Sequence, residues 1–183
     1  MINPFQNYSL TIFLLILTSI AVGFDMRIHK IPNLLTFPAM LAALCYYTAV
    51  HGLNGFLFSA GGLGAGIALL LLPYLMGGMG AGDAKLMGAV GACLGAERTL
   101  VAFLFIAAMG CLYGLIVVII QRRRFKGYFK QLWYTAQTFM LTRKYVPVES
   151  ASEARPKVYY GIAIAAGTLL YLTMEITGFQ LLI

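Results

Sequence analysis

The chain reads as an all-α polytopic membrane protein with six transmembrane helices, and three observations predict it. Hydrophobic residues make up 61% of the sequence against 10% charged, whereas a soluble domain carries about 25% charged residues. The apolar residues fall into six long runs, and crossing the hydrocarbon takes about 20 residues per helix. Nearly all the basic residues fall on one side of the membrane once six runs cross it.

The first run, Tyr8–Phe24, has no Lys or Arg ahead of Arg27 and ends without a convincing small-x-small site. It therefore reads as a retained span rather than a secretory signal. A short polar connection, Asp25–Asn33, follows, and Pro32 discourages a helix continuing through Ile31. Leu34–Val50 and Gly55–Met76 are the second and third spans, joined by a tight turn at His51–Asn54. The fourth, Ala84–Gly95, is short and crosses only with help from its flanking glycines. Thr99–Ile120 and Tyr159–Thr177 complete the set, as one membrane-embedded domain over residues 1–183.

Charge fixes the orientation. With six spans, Arg27, Lys30, Lys85 and the basic residues of 121–157 share one side, and only Arg98 falls on the other. The crowded side is cytosolic, with both termini outside, as in a multi-pass protein of a bacterial inner membrane. Making the fourth run re-entrant would push the 121–157 loop outside, against the rule. In that loop Phe125, Tyr128, Phe129, Leu132, Trp133, Ala136, Phe139 and Met140 recur at steps of three and four. The spacing predicts an amphipathic interfacial helix over about 124–141, lying on the anionic inner leaflet. The broad aromatic face and the tether between spans favour lipid over nucleic acid as its partner. Residues 147–156 read as a linker.

Cys45, Cys93 and Cys111 all lie within spans and form no C-x-x-C, while His29 and His51 fall on opposite sides. A zinc site is excluded, and neither metal nor cofactor is expected.

Chemistry then rests on the two aspartates of the chain, Asp25 and Asp83, both at cytosolic edges of apolar runs. An aspartate at the centre of a membrane helix costs about 2.5–3.5 kcal/mol on insertion scales, so an ionisable group in or beside a span is a candidate functional residue. Two carboxylates a few ångströms apart share one proton, since both cannot ionise in a poorly solvated site. Such a pair activates water and hydrogen-bonds a peptide carbonyl without metal or covalent nucleophile, the chemistry of an intramembrane aspartyl protease. Gly77, Gly78, Gly80 and Gly82 precede or flank Asp83 and leave room for an approaching substrate strand. Placed ahead of a helix, Asp83 also has a structural role open to it, as N-cap. Lys85 and Arg27 either snorkel to lipid headgroups or tune the pair. Gly62-x-x-x-Gly66 and Gly91-x-x-x-Gly95 read as close helix packing.

Three blocks resemble the type IV prepilin peptidases, a branch of the Gly-x-Gly-Asp aspartyl proteases. Asp25 with Arg27 and Ile31-Pro32-Asn33 resembles the first aspartate block of that family, and Gly78–Leu86, with Gly80-Ala81-Gly82-Asp83-Ala84-Lys85-Leu86, resembles its second. Tyr160-Gly161-Ile162-Ala163 resembles a Tyr-Gly-x-Ala stretch, although Tyr159 stands where the family has proline and the nearest proline is Pro156. The resemblance implies Asp25 and Asp83 as catalytic, with Gly80, Gly82, Lys85, Arg27, Pro32, Asn33, Tyr160 and Gly161 binding substrate or shaping the site. It implies removal of a short basic leader from a prepilin at the cytosolic face. The compact form is similar to the peptidases of tight-adherence (Flp) pilus systems. The cysteine-rich segment of bifunctional relatives has no counterpart here, so methyl transfer is not expected. The alternatives are a preflagellin-type peptidase and a proton- or cation-coupled transporter using the same two aspartates.

Overall fold

The structure, a computed structural model, describes residues 8–76, 78–120 and 160–177. They form five helices and, among the described residues, no strand: α1 Tyr8–Ile28, α2 Asn33–Leu75, α3 Ala81–Leu94, α4 Ala96–Ile120 and α5 Tyr160–Ile176. The expected interfacial helix over about 124–141, the linker after it and Gly77 lie outside the described residues. The chain divides into two compact units, residues 1–110 with 159–183 and residues 111–158. Of the second, only 111–120, the last turns of α4, are described.

Three helices, α1, α2 and α4, are long and apolar enough to cross a membrane. Their apolar side chains face outward as lipid requires: Leu34, Leu53 and Leu104 are 86, 73 and 60% exposed. The α2 helix, at 43 residues, is longer than one crossing requires. It reverses at Gly52, whose φ of 60° and ψ of −140° break the helix where a side chain is disfavoured. The reversal is evident from the Tyr47 and Phe58 rings, whose centroids lie 4.9 Å apart; along a straight helix residues at that spacing stand about 16 Å apart. Gly55 makes the bend possible, because a Cβ there would collide with the Tyr47 carbonyl. The expected turn at His51–Asn54 is thus present, centred on Gly52 between the two helical arms of α2.

Between the two arms of α2 lies α3, a 14-residue helix that is apolar nearly all round and buried nearly all along, from Asp83 to Leu94 except Lys85. Such a helix belongs inside a bundle rather than at its surface. Met40 of the first arm and Ile67 of the second both come to Gly88. Gly62 and Gly91 meet backbone to backbone, each filling the space where the other's Cβ would stand, and Gly66 meets the Met87 carbonyl in the same way. This is the small-residue packing that the glycine spacing predicts. The last carbonyls of a helix have no intrahelical partner, and here the arms of α2 supply donors: Tyr47 Oη donates to the Cys93 carbonyl at 2.7 Å and Ser59 Oγ to that of Ala92 at 2.8 Å. At that same end of the bundle Arg98 pairs with Glu175 at 3.2 Å.

Two boundaries differ from the sequence reading. The first helix runs on to Ile28, so Asp25 and Arg27 sit in its last turn and not in a loop. One carboxylate does not stop a helix; the stop comes at His29, in the left-handed region at φ 53°, whose N–H returns to the Asp25 carbonyl at 3.0 Å. At the other segment α3 begins at Ala81 with Gly80 as its N-cap residue, so Asp83 stands inside the first turn and not ahead of it.

Gly62→Val or Gly91→Val should lower the thermal unfolding midpoint in detergent markedly, overpacking being worth about 1–3 kcal/mol. Gly64→Ala, with nothing within 4 Å of its added methyl, should leave the midpoint unchanged or raise it slightly.

Candidate functional site

Four pieces of chain converge on one cavity of about 670 Å³, whose lining includes Asp25, His29, Lys30, Asn33, Asp83 and Lys85. The left-handed His29 turns the chain sharply out of α1, and Pro32, extended at φ −69° and ψ 141°, starts α2. Between them Ile31 is only 7% exposed and joins the core. It is seated on Gly82: a Cβ on residue 82 would lie 3.0 Å from the Ile31 Cβ and 3.1 Å from its carbonyl oxygen. That contact holds the connector after Asp25 against the turn that carries Asp83.

Both carboxylates are buried, Asp25 at 7% and Asp83 at 8% exposure, and each is held by a backbone donor. Asp83 Oδ2 accepts the Gly80 N–H at 3.1 Å, reaching back over the first turn of its own helix. Asp25 Oδ2 accepts the Gly161 N–H at 3.0 Å, and so caps α5 from another helix. A methyl on Gly161 would lie 2.8 Å from that oxygen, so the bond requires glycine there. Tyr160, next along, is within electrostatic range of Asp83. The first turn of α5 thus attends both aspartates, one through each of its first two residues. Asp83 is therefore not the N-cap left open by the sequence but the third residue of the helix, reaching back to the N–H of the N-cap Gly80, while Asp25 serves a helix start from outside it.

Burial, followed by the charge of Asp25, pushes the Asp83 carboxyl up to about 6 against the pull of the Gly80 N–H. The charge of Asp25 thus bears on the titration of Asp83, and the two acids act as a coupled pair. Lys85 Nζ donates to Asn33 Oδ1 at 2.8 Å and lies over the Phe37 ring at 5.1 Å. It is thus directed at the start of α2 and not at lipid headgroups.

Of the residues singled out from sequence, Asp25, Pro32, Asn33, Gly80, Gly82, Asp83 and Lys85 line this cavity, and Tyr160 and Gly161 adjoin it through the aspartates. Arg27 is exposed and absent from the lining. Two contributors were given no site role from sequence: Ile31, quoted only as part of the Ile31-Pro32-Asn33 block, and His29, whose backbone angle has no mark in the sequence.

An all-helical membrane protein that gathers two buried carboxylates from separate helices into one polar cavity has the makings of a carboxylate-dependent membrane enzyme. Residues 11–118 match the type IV leader peptidase family, and the chain belongs to it. The match takes in both aspartate segments and stops short of Tyr160 and Gly161. Over 123 residues, 64% of this chain, the sequence is 32% identical to the prepilin leader peptidase/N-methyltransferase of Bacillus subtilis (strain 168). The alignment covers 47% of that relative, so the chain spans about half its length. No solved structure matches the chain.

The protonated-carboxyl infrared band of Asp83 should titrate near pH 6 in the intact protein. In Asp25→Asn the like charge is gone, so the midpoint should move to lower pH; a midpoint that stays or rises would show the two acids are not coupled.

Proposed function

We propose that the protein is an aspartic endopeptidase of a bacterial inner membrane that removes the basic leader from Flp-like prepilins at the cytosolic face. In this reading six segments cross, the two arms of α2 counting separately, with both termini outside. Residues 121–157 form a cytosolic loop whose amphipathic helix rests on anionic lipid. The observation that carries the reading is the shared cavity: Asp25 and Asp83, from different helices, line it together and are each oriented by a backbone N–H. Membership of the leader peptidase family supports the substrate class.

The mechanism follows from a shared proton. With one carboxylate ionised and one protonated, the ionised group takes a proton from a water molecule as the water attacks the scissile carbonyl. The protonated group donates to the carbonyl oxygen as it gains charge, then a proton passes to the leaving amine. Lys30 and Lys85 add two cations to the lining, so a basic leader is held chiefly through the apolar helix that follows it in the prepilin. The same two cations make the cavity a poor cation-binding site, against a transporter. With Cys45, Cys93 and Cys111 dispersed over three helices, the reading is of peptidase activity without methyl transfer.

Asparagine separates capping from catalysis, because its carbonyl oxygen still accepts the Gly80 or Gly161 N–H while its acid–base function is lost. Co-expressed with a prepilin and followed by gel mobility, Asp25→Asn and Asp83→Asn should each slow cleavage by about 10²–10⁴-fold at unchanged membrane abundance. Asp25→Ala and Asp83→Ala should also reduce abundance. Cleavage that survives either asparagine substitution would reject the dyad.

A further inference from the structure

Lys85 is the cation of the Gly-x-Gly-Asp-x-Lys segment, and its geometry argues against a role in neutralising the aspartates. It stands two residues beyond Asp83, yet its ammonium makes its hydrogen bond to Asn33 at 2.8 Å and rests on the Phe37 ring at 5.1 Å. Both partners lie in the first turns of α2. The influences on Asp83 are burial, Asp25 and the Gly80 N–H, with Lys85 absent from them. What Lys85 joins, therefore, is the first turn of α3 to the first turns of α2, the pieces that Ile31 and Gly82 also bring together.

The Ile31–Gly82 seat is a steric contact: it prevents closer approach without preventing separation. A hydrogen bond from a charged donor resists separation, and the ring beneath adds a cation–π attraction to the same ammonium. The two contacts act on the connector differently, one as a stop and the other as a tie.

We propose that Lys85 is a positioning residue, whose bond to Asn33 ties the α1–α2 connector to the start of α3 and thereby sets the separation of Asp25 and Asp83. The proposal rests on the peptidase reading for its kinetic consequences but not for its structural one. Lys85 acts through Asn33 and does not touch the reacting atoms. Loosening the tie lets the carboxylates drift apart and weakens their coupling while leaving each chemically intact.

Two measurements test it. In the first, Lys85→Met, Asn33→Ala and the double variant are assayed for prepilin cleavage across pH. Each single variant should lose turnover by roughly ten- to a hundredfold, as misplacement of reacting groups does, with KM little changed. The double variant should be no worse than the poorer single, since both remove one contact. The charged and titratable groups around Asp83 are Asp25 and His29 of α1 and its end, Lys30 of the connector, Lys85 itself and Tyr160 of α5. If Lys85 ties, Lys85→Met weakens the Asp25–Asp83 coupling, and the alkaline limb of the pH profile moves to lower pH. If Lys85 instead acts by its charge, removing a cation raises the carboxyl pKa and the limb moves to higher pH, which overturns the proposal. Additive losses, or unchanged turnover in Lys85→Met, overturn it too.

The second measurement does not depend on activity. Spin labels at Lys30→Cys and Ala81→Cys, with the exposed Cys45 and Cys111 replaced by alanine, report the distance between connector and α3. A narrow distribution that broadens or lengthens in Lys85→Met supports the tie; an unchanged one rejects it. If the parent protein cleaves no prepilin, the peptidase reading fails, while the labels still decide the role of Lys85.

Discussion

Ile31 can lie against the first turn of α3 only because residue 82 has no side chain, and the architecture of the cavity depends on that one contact. The α1–α2 connector is short, begins at a left-handed histidine and ends at a proline, and beside this contact the Lys85–Asn33 hydrogen bond joins α3 to the residue that follows it. Seating a buried isoleucine on a glycine converts that short connector into a fixed link between two acidic segments. The core around it is apolar, with Leu17, Ala21, Met40, Leu86 and Met87 in the same cluster as Ile31. Hydrophobic packing therefore sets the placement of polar groups that could not otherwise be brought together against their mutual repulsion.

The aspartates combine two duties usually assigned to different residues. A helix start leaves N–H groups without partners, and inside a bundle water does not serve them. Asp83 serves its own helix and Asp25 serves α5. Each bond orients a carboxylate while closing a helix end, so the geometry of the acids is fixed by the secondary structure itself. Burial makes their ionisation mutually dependent, with Asp83 drawn up to about 6.

Much of this was legible in the residues. The apolar runs located the helices of the described residues, the glycine pairs at 62, 66, 91 and 95 announced a side-chain-free crossing, and the rarity of aspartate drew attention to two residues that line one cavity. Helix ends were less legible. The first helix ends at a backbone angle of His29 and not at the polar residue Asp25, because a single charge costs a helix little while a left-handed residue ends it. The long-range bonds were invisible for a different reason. Gly161 N–H to Asp25 and Lys85 to Asn33 join positions far apart in sequence, and no local pattern encodes which backbone donor a carboxylate will meet. The dependence of glycine 161 on the bulk of Asp25 is likewise a property of the packed molecule alone.

The enclosure of α3 has a consequence for how firmly each of the two acids is mounted. One flank is locked by backbone contacts with the second arm of α2, the Met40 side chain of the first arm meets Gly88, and hydroxyls of both arms clasp its final carbonyls. Sliding or rotating it would break all of these at once. Asp25, by contrast, reaches its partner through one hydrogen bond at the meeting of α1 and α5. Of the two acids, Asp83 therefore rides on the enclosed helix, while Asp25 stands at a joint between the first and last helices.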